Sequence, residues 1–231
     1  MSALDAPPGQ LVLEMAHAPS FAADDYIIGA SNAEAHRIST TLAWPTPVGV
    51  IVGGEGSGKT HLAHIAASVA DTAVEAPLWF DGSVPENLAA NALLLMDGLE
   101  RFVSGDQDAI FHTLEAARAA QVPVLVTTRG VPEMLGIKRP DTLSRLRAGE
   151  RATINAPDDQ LFLAVAVKLF ADRQLDVDPA VASYLLQRME RSYANLSHLI
   201  GLIDERSLAA GRRITKPLAG EVLAAYELSQ N

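Results

Sequence analysis

Gly53, Gly54, Glu55, Gly56, Ser57, Gly58, Lys59 and Thr60 are consecutive and fit the pattern G-x-x-x-x-G-K-[ST]. That spacing suits phosphate chemistry. Glycines let successive backbone N–H groups turn inward around phosphate oxygens, the start of a following helix adds partial positive charge, and Lys59 can reach the β- and γ-phosphates. Thr60 offers its hydroxyl to Mg2+, and His61 can flank the phosphates. By composition alone such a match arises on the order of once in a hundred chains of this size. Here it also sits between a buried-strand pattern and a helix pattern, so ADP or ATP with Mg2+ is the expected cofactor.

A nucleotide site of this kind needs a second carboxylate at the end of a neighbouring strand, and Leu93-Leu94-Leu95-Met96-Asp97 supplies one, making Asp97 the second metal-site candidate beside Thr60. Gly98 follows, where a self-sufficient ATPase usually carries another acid to orient water. Glu100, three residues past Asp97, is expected to point elsewhere. Val124-Leu125-Val126-Thr127-Thr128 ends a further strand in two hydroxyls, and Thr128 is the candidate that senses the γ-phosphate. His61 and His64 lack further ligands nearby in sequence, so no zinc site is expected. Trp44 and Trp79 read as packing residues, and no covalent nucleophile stands out.

The elements that must position these groups show in the hydrophobic pattern. Val48 to Val52 is a continuous β-rich run, followed by the glycine loop and a helix over Lys59 to Val69. Runs at Pro77 to Phe80, Leu93 to Met96 and Val122 to Val126 give three more strands, with a helix over Asp108 to Ala120. Strands apolar on both faces make a parallel sheet, hence a βαβ architecture. A helix from Ser31 to Leu42 precedes them, capped by Ser31 or Asn32. After Asn155 helical periodicity takes over, with Leu161/Val165/Leu169, Val181/Tyr184/Leu185 and Leu196/Leu199/Ile200/Ile203 each on one face. Asp178-Pro179 makes an N-cap and N1 pair, and a last helix runs from Pro217 to Leu228.

The chain has 231 residues, no cysteine, 48% hydrophobic residues and a net charge of −10. This is globular composition without disulfides, and too acidic to hold a polyanion by bulk charge. No Lys or Arg precedes Arg37, and no apolar run approaches the roughly 20 residues of a membrane span. A soluble cytoplasmic protein is expected.

Taken together, these features resemble the DnaA family of AAA+ proteins, in particular its initiator-related regulators, over nearly the whole chain. Ser20-Phe21 with Tyr26-Ile27-Ile28-Gly29-Ala30-Ser31-Asn32 is similar to the family's segment before the phosphate loop, which implies that Ile28 and Gly29 lie against the adenine. Gly58-Lys59-Thr60-His61-Leu62-Ala63-His64 resembles its phosphate-loop helix, and Ser144-Arg145-Leu146 its arginine-finger box. The resemblance implies that Arg145 acts in trans on a neighbour's ATP. In Arg191-Ser192-Tyr193-Ala194-Asn195-Leu196, Ala194 takes the place of a second sensor arginine, with Arg188 and Arg191 as substitutes. Gln10-Leu11-Val12-Leu13-Glu14-Met15 resembles a sliding-clamp-binding peptide, with Gln10, Leu11, Leu13 and Met15 as contacts, although Glu14-Met15 departs from the usual Pro-Leu ending.

The implied fold is an α/β P-loop AAA+ parallel-sheet domain followed by a small all-α lid. Residues 1–18 form a tail with the clamp motif, 19–155 the nucleotide-binding domain, and 156–231 the lid. With the lid running to 231, no helix-turn-helix reader of duplex DNA is expected. The implied partners are the sliding clamp (the DNA polymerase III beta subunit) and the initiator DnaA, with a homodimer left open. The implied activity is stimulation of the initiator's ATP hydrolysis, with weak or no ATPase of its own. The alternative is an autonomous AAA+ ATPase of the helicase-loader type.

Overall fold

Along β1 (Val48–Gly53) every residue is buried, and alternate side chains enter two separate cores. Val48, Val50 and Val52 face one side with Leu94, Met96, Val124 and Val126, while Ile51 faces the other with Leu93, Leu95 and Leu125. This is the period-two geometry of a strand applied to a sheet covered on both faces. The computed structural model describes residues 21–71, 76–86, 88 and 93–230. The expected clamp-binding residues Gln10, Leu11, Leu13 and Met15 lie outside them.

Five parallel strands, β1 with β2 (Leu78–Trp79), β3 (Leu94–Met96), β4 (Val124–Thr128) and β5 (Glu150–Ile154), are ordered β2-β3-β4-β1-β5. One face is covered by α3 (Glu100–Val103), α4 (Gln107–Ala120) and α5 (Pro140–Ala148), through Val103, Ile110, Leu114 and Leu146. The other is covered by α1 (Ala33–Thr41) and α2 (Lys59–Asp71), through Ala35, Ile38, Leu62, Ile65 and Ala66. β5 was not among the strands expected from sequence. Its Glu-Arg-Ala-Thr-Ile alternates rather than running apolar, because it is an edge strand whose outer positions meet polar surroundings. Glu150 pairs there with Arg37 of α1.

Four helices follow: α6 (Asp159–Asp172), α7 (Pro179–Leu186), α8 (Tyr193–Ala210) and α9 (Lys216–Gln230). They share a core of their own, centred on Phe162, Ala166, Leu185, Leu196, Leu199, Ile200 and Ile203. The local rules that start them are visible at their ends. Asp158, Asp178 and Ser192 each accept a backbone N–H of the first turn, Pro179 occupies the N1 position, and Gly211 closes α8 in the left-handed conformation. No helix among the described residues is long and apolar enough to cross a membrane.

Candidate functional site

The phosphate loop leaves β1 at Gly53 and enters α2 at Lys59, so it lies at the carboxyl end of the central strand, where open parallel sheets bind ligands. Lys59 is largely buried, and its Nζ donates to the Gly54 carbonyl at 2.6 Å. Burial lowers its pKa, opposed first by the charge of Glu100. The ammonium therefore rests against its own loop, positioned to exchange a carbonyl for a phosphate oxygen. Space exists for that exchange, since a side-chain carbon built at Gly54 would meet nothing within 4 Å.

Thr60 and Asp97 are brought together across the sheet. The Thr60 hydroxyl lies 3.0 Å from Asp97 Oδ2, and Thr127 donates its hydroxyl to Asp97 Oδ1 at 2.6 Å while accepting the Gly98 N–H at 2.8 Å. Hydroxyl and carboxylate oxygens of this kind are the donor set that Mg2+ prefers. Arg101, missed in the sequence, also reaches Asp97 at 3.3 Å and bonds its carbonyl. Gly98 has φ +72°, and a side-chain carbon there would meet Arg101 Nε at 2.6 Å. An acid at this position would be strained in the present backbone, which is a local reason for its absence.

The hydroxyl at the end of β4 that joins this constellation is Thr127, while Thr128 is the residue expected to sense a γ-phosphate. Thr128 turns to the Gly130 carbonyl at 2.9 Å. Register explains the difference: Met96 lies beside Val126, so the next residue, Asp97, is level with Thr127, and adjacent strand residues point to opposite faces. Thr127→Val is expected to weaken Mg2+-nucleotide binding by about tenfold, the range of a lost hydrogen bond to a charged group, while Thr128→Val costs under about threefold. Isothermal titration calorimetry checks both.

Glu100 also departs from expectation. Its carboxylate accepts the Arg129 N–H at 3.1 Å and lies 3.4 Å from that residue's guanidinium, which reaches Glu55 of the phosphate loop at 3.0 Å. The acid thus faces the loop, although both its oxygens are engaged by Arg129. Lys59 feels Glu100, Arg129, Asp97 and Glu55, and Arg145 is not among them.

A cavity of about 350 Å3 lies beside the loop, lined by Phe21, Tyr26, Ile27, Gly58, His61 and, across from them, Tyr193 of α8. Tyr26 and Ile27 line it, whereas the expected Ile28 is half exposed and Gly29 packs on Leu161 of α6. Asn32 fixes this segment, accepting the Gly29 N–H and donating to the Ile27 carbonyl. His61 engages the Ala22 carbonyl at 2.8 Å and packs edge-on to Phe21 and Tyr26. The Tyr26 hydroxyl is buried on the cavity wall close to Asn32, with no hydrogen bond of ordinary geometry.

Burial raises the Tyr26 pKa well beyond the ordinary phenol range and pushes Tyr193 up to about 12. Unfolded, both ionise near pH 10. A raised folded pKa gives stability that is intact below the unfolded value and lost as pH climbs through the folded one. The urea midpoint should therefore be insensitive to these groups below about pH 10 and fall above it, and Tyr26→Phe should reduce the fall.

α8 begins at the loop itself. A side-chain carbon at Gly56 would lie 2.6 Å from the Ala194 nitrogen, so the first turn of α8 rests directly on the phosphate loop. Ala194 brings no cation, and neither proposed substitute reaches the loop: Arg188 lies over Tyr184 at 4.0 Å and Arg191 pairs with Asp159. Arg145 occupies another surface. Its Nη2 and Nε reach Glu115 of α4 at 2.7 and 3.1 Å, its Nη1 the Asp141 carbonyl at 3.0 Å, and its guanidinium lies 4.8 Å from the Phe111 ring.

Comparison with known proteins agrees with this geometry. The family model "Hda, lid domain" matches residues 164–223. An uncharacterised protein of Haemophilus influenzae is 30% identical over 188 residues, covering 77% of this chain and 81% of its own length. The chromosomal replication initiator protein DnaA of Cutibacterium acnes is 26% identical over 204 residues, covering 77% of this chain but only 41% of the initiator. Domain III of the Thermotoga maritima replication initiation protein DnaA superposes with a TM-score of 0.78 at 16% identity, covering 90% of this chain and 97% of that one. With a parallel P-loop sheet, a helical unit resting on the loop and these relatives, the chain belongs to the DnaA-related, Hda-like AAA+ proteins.

Proposed function

We propose that this chain is a nucleotide-bound regulator of replication initiation that acts on the initiator's ATP rather than turning over its own. The observation that carries the reading is where Arg145 sits. Every contact of its guanidinium is with α4 or α5, none is with the chain's own phosphate loop, and it stays partly exposed against Glu115 and Phe111. An arginine so placed serves a phosphate on another molecule.

Residues Gly53 to Thr60 would hold the phosphates of a nucleotide, with Thr60 and Asp97 as the Mg2+ ligands, in the loop on which α8 rests. The division after residue 155 follows from this reading, with the α/β unit holding the phosphates and the helical unit closing over them. Gly98 removes one candidate for orienting water, and Glu100 is saturated by Arg129, so own turnover is slow. Arg145 then contributes to the partner what this site lacks, a fixed bidentate cation for the charge that develops on the transferred phosphoryl group. Gln10, Leu11, Leu13 and Met15 bind the sliding clamp, which ties the activity to DNA under replication.

The test is single-turnover hydrolysis of ATP bound to DnaA, with and without this protein and DNA-loaded clamp. Stimulation that requires all three and is lost on changing Gln10 or Arg145 supports the reading. Rapid turnover by the protein alone, without effect on the initiator, would replace it with an autonomous ATPase.

A further inference from the structure

Arg101, the second residue of α3, has no part in the function proposed above, yet it lies against the carboxylate that a metal ion would use. Its Nη2 bonds the Asp97 carbonyl and lies 3.3 Å from Asp97 Oδ2. Asp97 is thereby fully engaged from within the chain. Oδ1 accepts the Thr127 hydroxyl at 2.6 Å, and Oδ2 meets both the Thr60 hydroxyl at 3.0 Å and the Arg101 guanidinium. The backbone makes room for this arrangement. A side-chain carbon at Gly98 would lie 2.6 Å from Arg101 Nε and 3.1 Å from its Cζ, so glycine at 98 and arginine at 101 go together. Among the described residues, Arg101 pairs with no other carboxylate.

We propose that Arg101 is a built-in competitor of Mg2+ at Asp97, so that this chain holds its nucleotide with little help from the metal. The inference deepens the nucleotide-binding part of the proposed function and rests on it. Thr60 and Asp97 offer the oxygens that Mg2+ prefers, but the Arg101 guanidinium opposes the ion twice. It occupies one approach to Oδ2, and it repels a divalent cation as a like charge. Arg101 is mostly exposed, so its pairing is weak enough to be displaced, and the competition is graded rather than absolute. The same guanidinium offsets the charge of Asp97, which would otherwise repel phosphates arriving without a metal. Lys59 and the loop amides then carry the phosphates on their own.

The experiment titrates fluorescent ADP into the wild-type chain, Arg101→Ala and Arg101→Lys, in EDTA and over a range of Mg2+ concentrations. Wild-type affinity in EDTA should lie within about threefold of that in saturating Mg2+. Arg101→Ala should widen this gap to about tenfold or more and lower the Mg2+ concentration at half effect by a similar factor, the scale of a unit charge removed from beside a divalent ion in a solvated site. Arg101→Lys, which keeps the charge without the planar fork, should fall between them. The same Mg2+ dependence in wild type and Arg101→Ala, whether strong or weak, would overturn the assignment while leaving nucleotide binding and Arg145 untouched. A wild-type chain that binds ADP neither with nor without Mg2+ would overturn both readings.

Discussion

Arg145→Ala should reduce stimulated hydrolysis on the initiator by about 10³-fold or more, to the level seen without this protein. That loss is equivalent to about 4 kcal/mol of transition-state stabilisation. The expectation follows from how the side chain is presented. Glu115 takes Nε and Nη2, Asp141 takes Nη1, and the Phe111 ring lies alongside, so the fork is ordered before any partner arrives. Little rotamer entropy remains to be lost on docking. Arg145→Lys should recover little, because an ammonium cannot make the bidentate contact. The variant's own nucleotide affinity should match wild type, since Arg145 is not among the charges that Lys59 feels. Equal stimulation by wild type and Arg145→Ala in the single-turnover assay would remove Arg145 from the mechanism.

The second large effect is expected at Gly56, where two independent constraints meet. Its φ of +69° is unfavourable for any residue with a side chain, and a side-chain carbon would lie 2.6 Å from the Ala194 nitrogen and 2.9 Å from its Cα. The obstructing atoms are backbone, in the first turn of α8, and cannot be moved by a rotamer change. Gly56→Val should lower stability by about 2–4 kcal/mol, or force α8 off the loop. In the second case nucleotide affinity falls by about tenfold or more, because Tyr193 is carried out of the cavity wall. Urea unfolding and nucleotide titration on the same variant distinguish these two routes. Unchanged values in both would show that the loop and α8 do not pack as described.

Gly56 also illustrates what a sequence can disclose. The motif places a residue of any type at that position, and only the contact with Ala194, far along the chain, makes glycine necessary. The phosphate loop and Asp97 were legible because their chemistry is local: a strand run, a glycine turn and a helix start within a few residues. The choice between Thr127 and Thr128 was not, since it depends on whether Met96 pairs with Val126. Where Glu100 points was misjudged and Arg129 was not singled out for the same reason, as their partnership spans two strands. Arg145 could be singled out by resemblance, but Glu115 and Phe111, which orient it, come from another helix. β5 was overlooked because an edge strand need not carry a continuous apolar run.

The strand order also dictates when this site can exist during synthesis. β1 is flanked by β4 and β5, with Val48 beside Val124 and Gly49 beside Glu150. A nascent chain therefore displays the whole phosphate-binding motif long before the neighbours that hold it have been made, and such non-local pairing is slow to form. Nucleotide cannot act as a folding template for the first half of the polypeptide. The helical core from Phe162 to Leu223 draws on one continuous stretch that follows β5 in the chain, so it forms as a unit after the strands have been made. The sheet around β1 can thus be complete before α8 is made, and the loop becomes competent only when α8 is ready to rest on it.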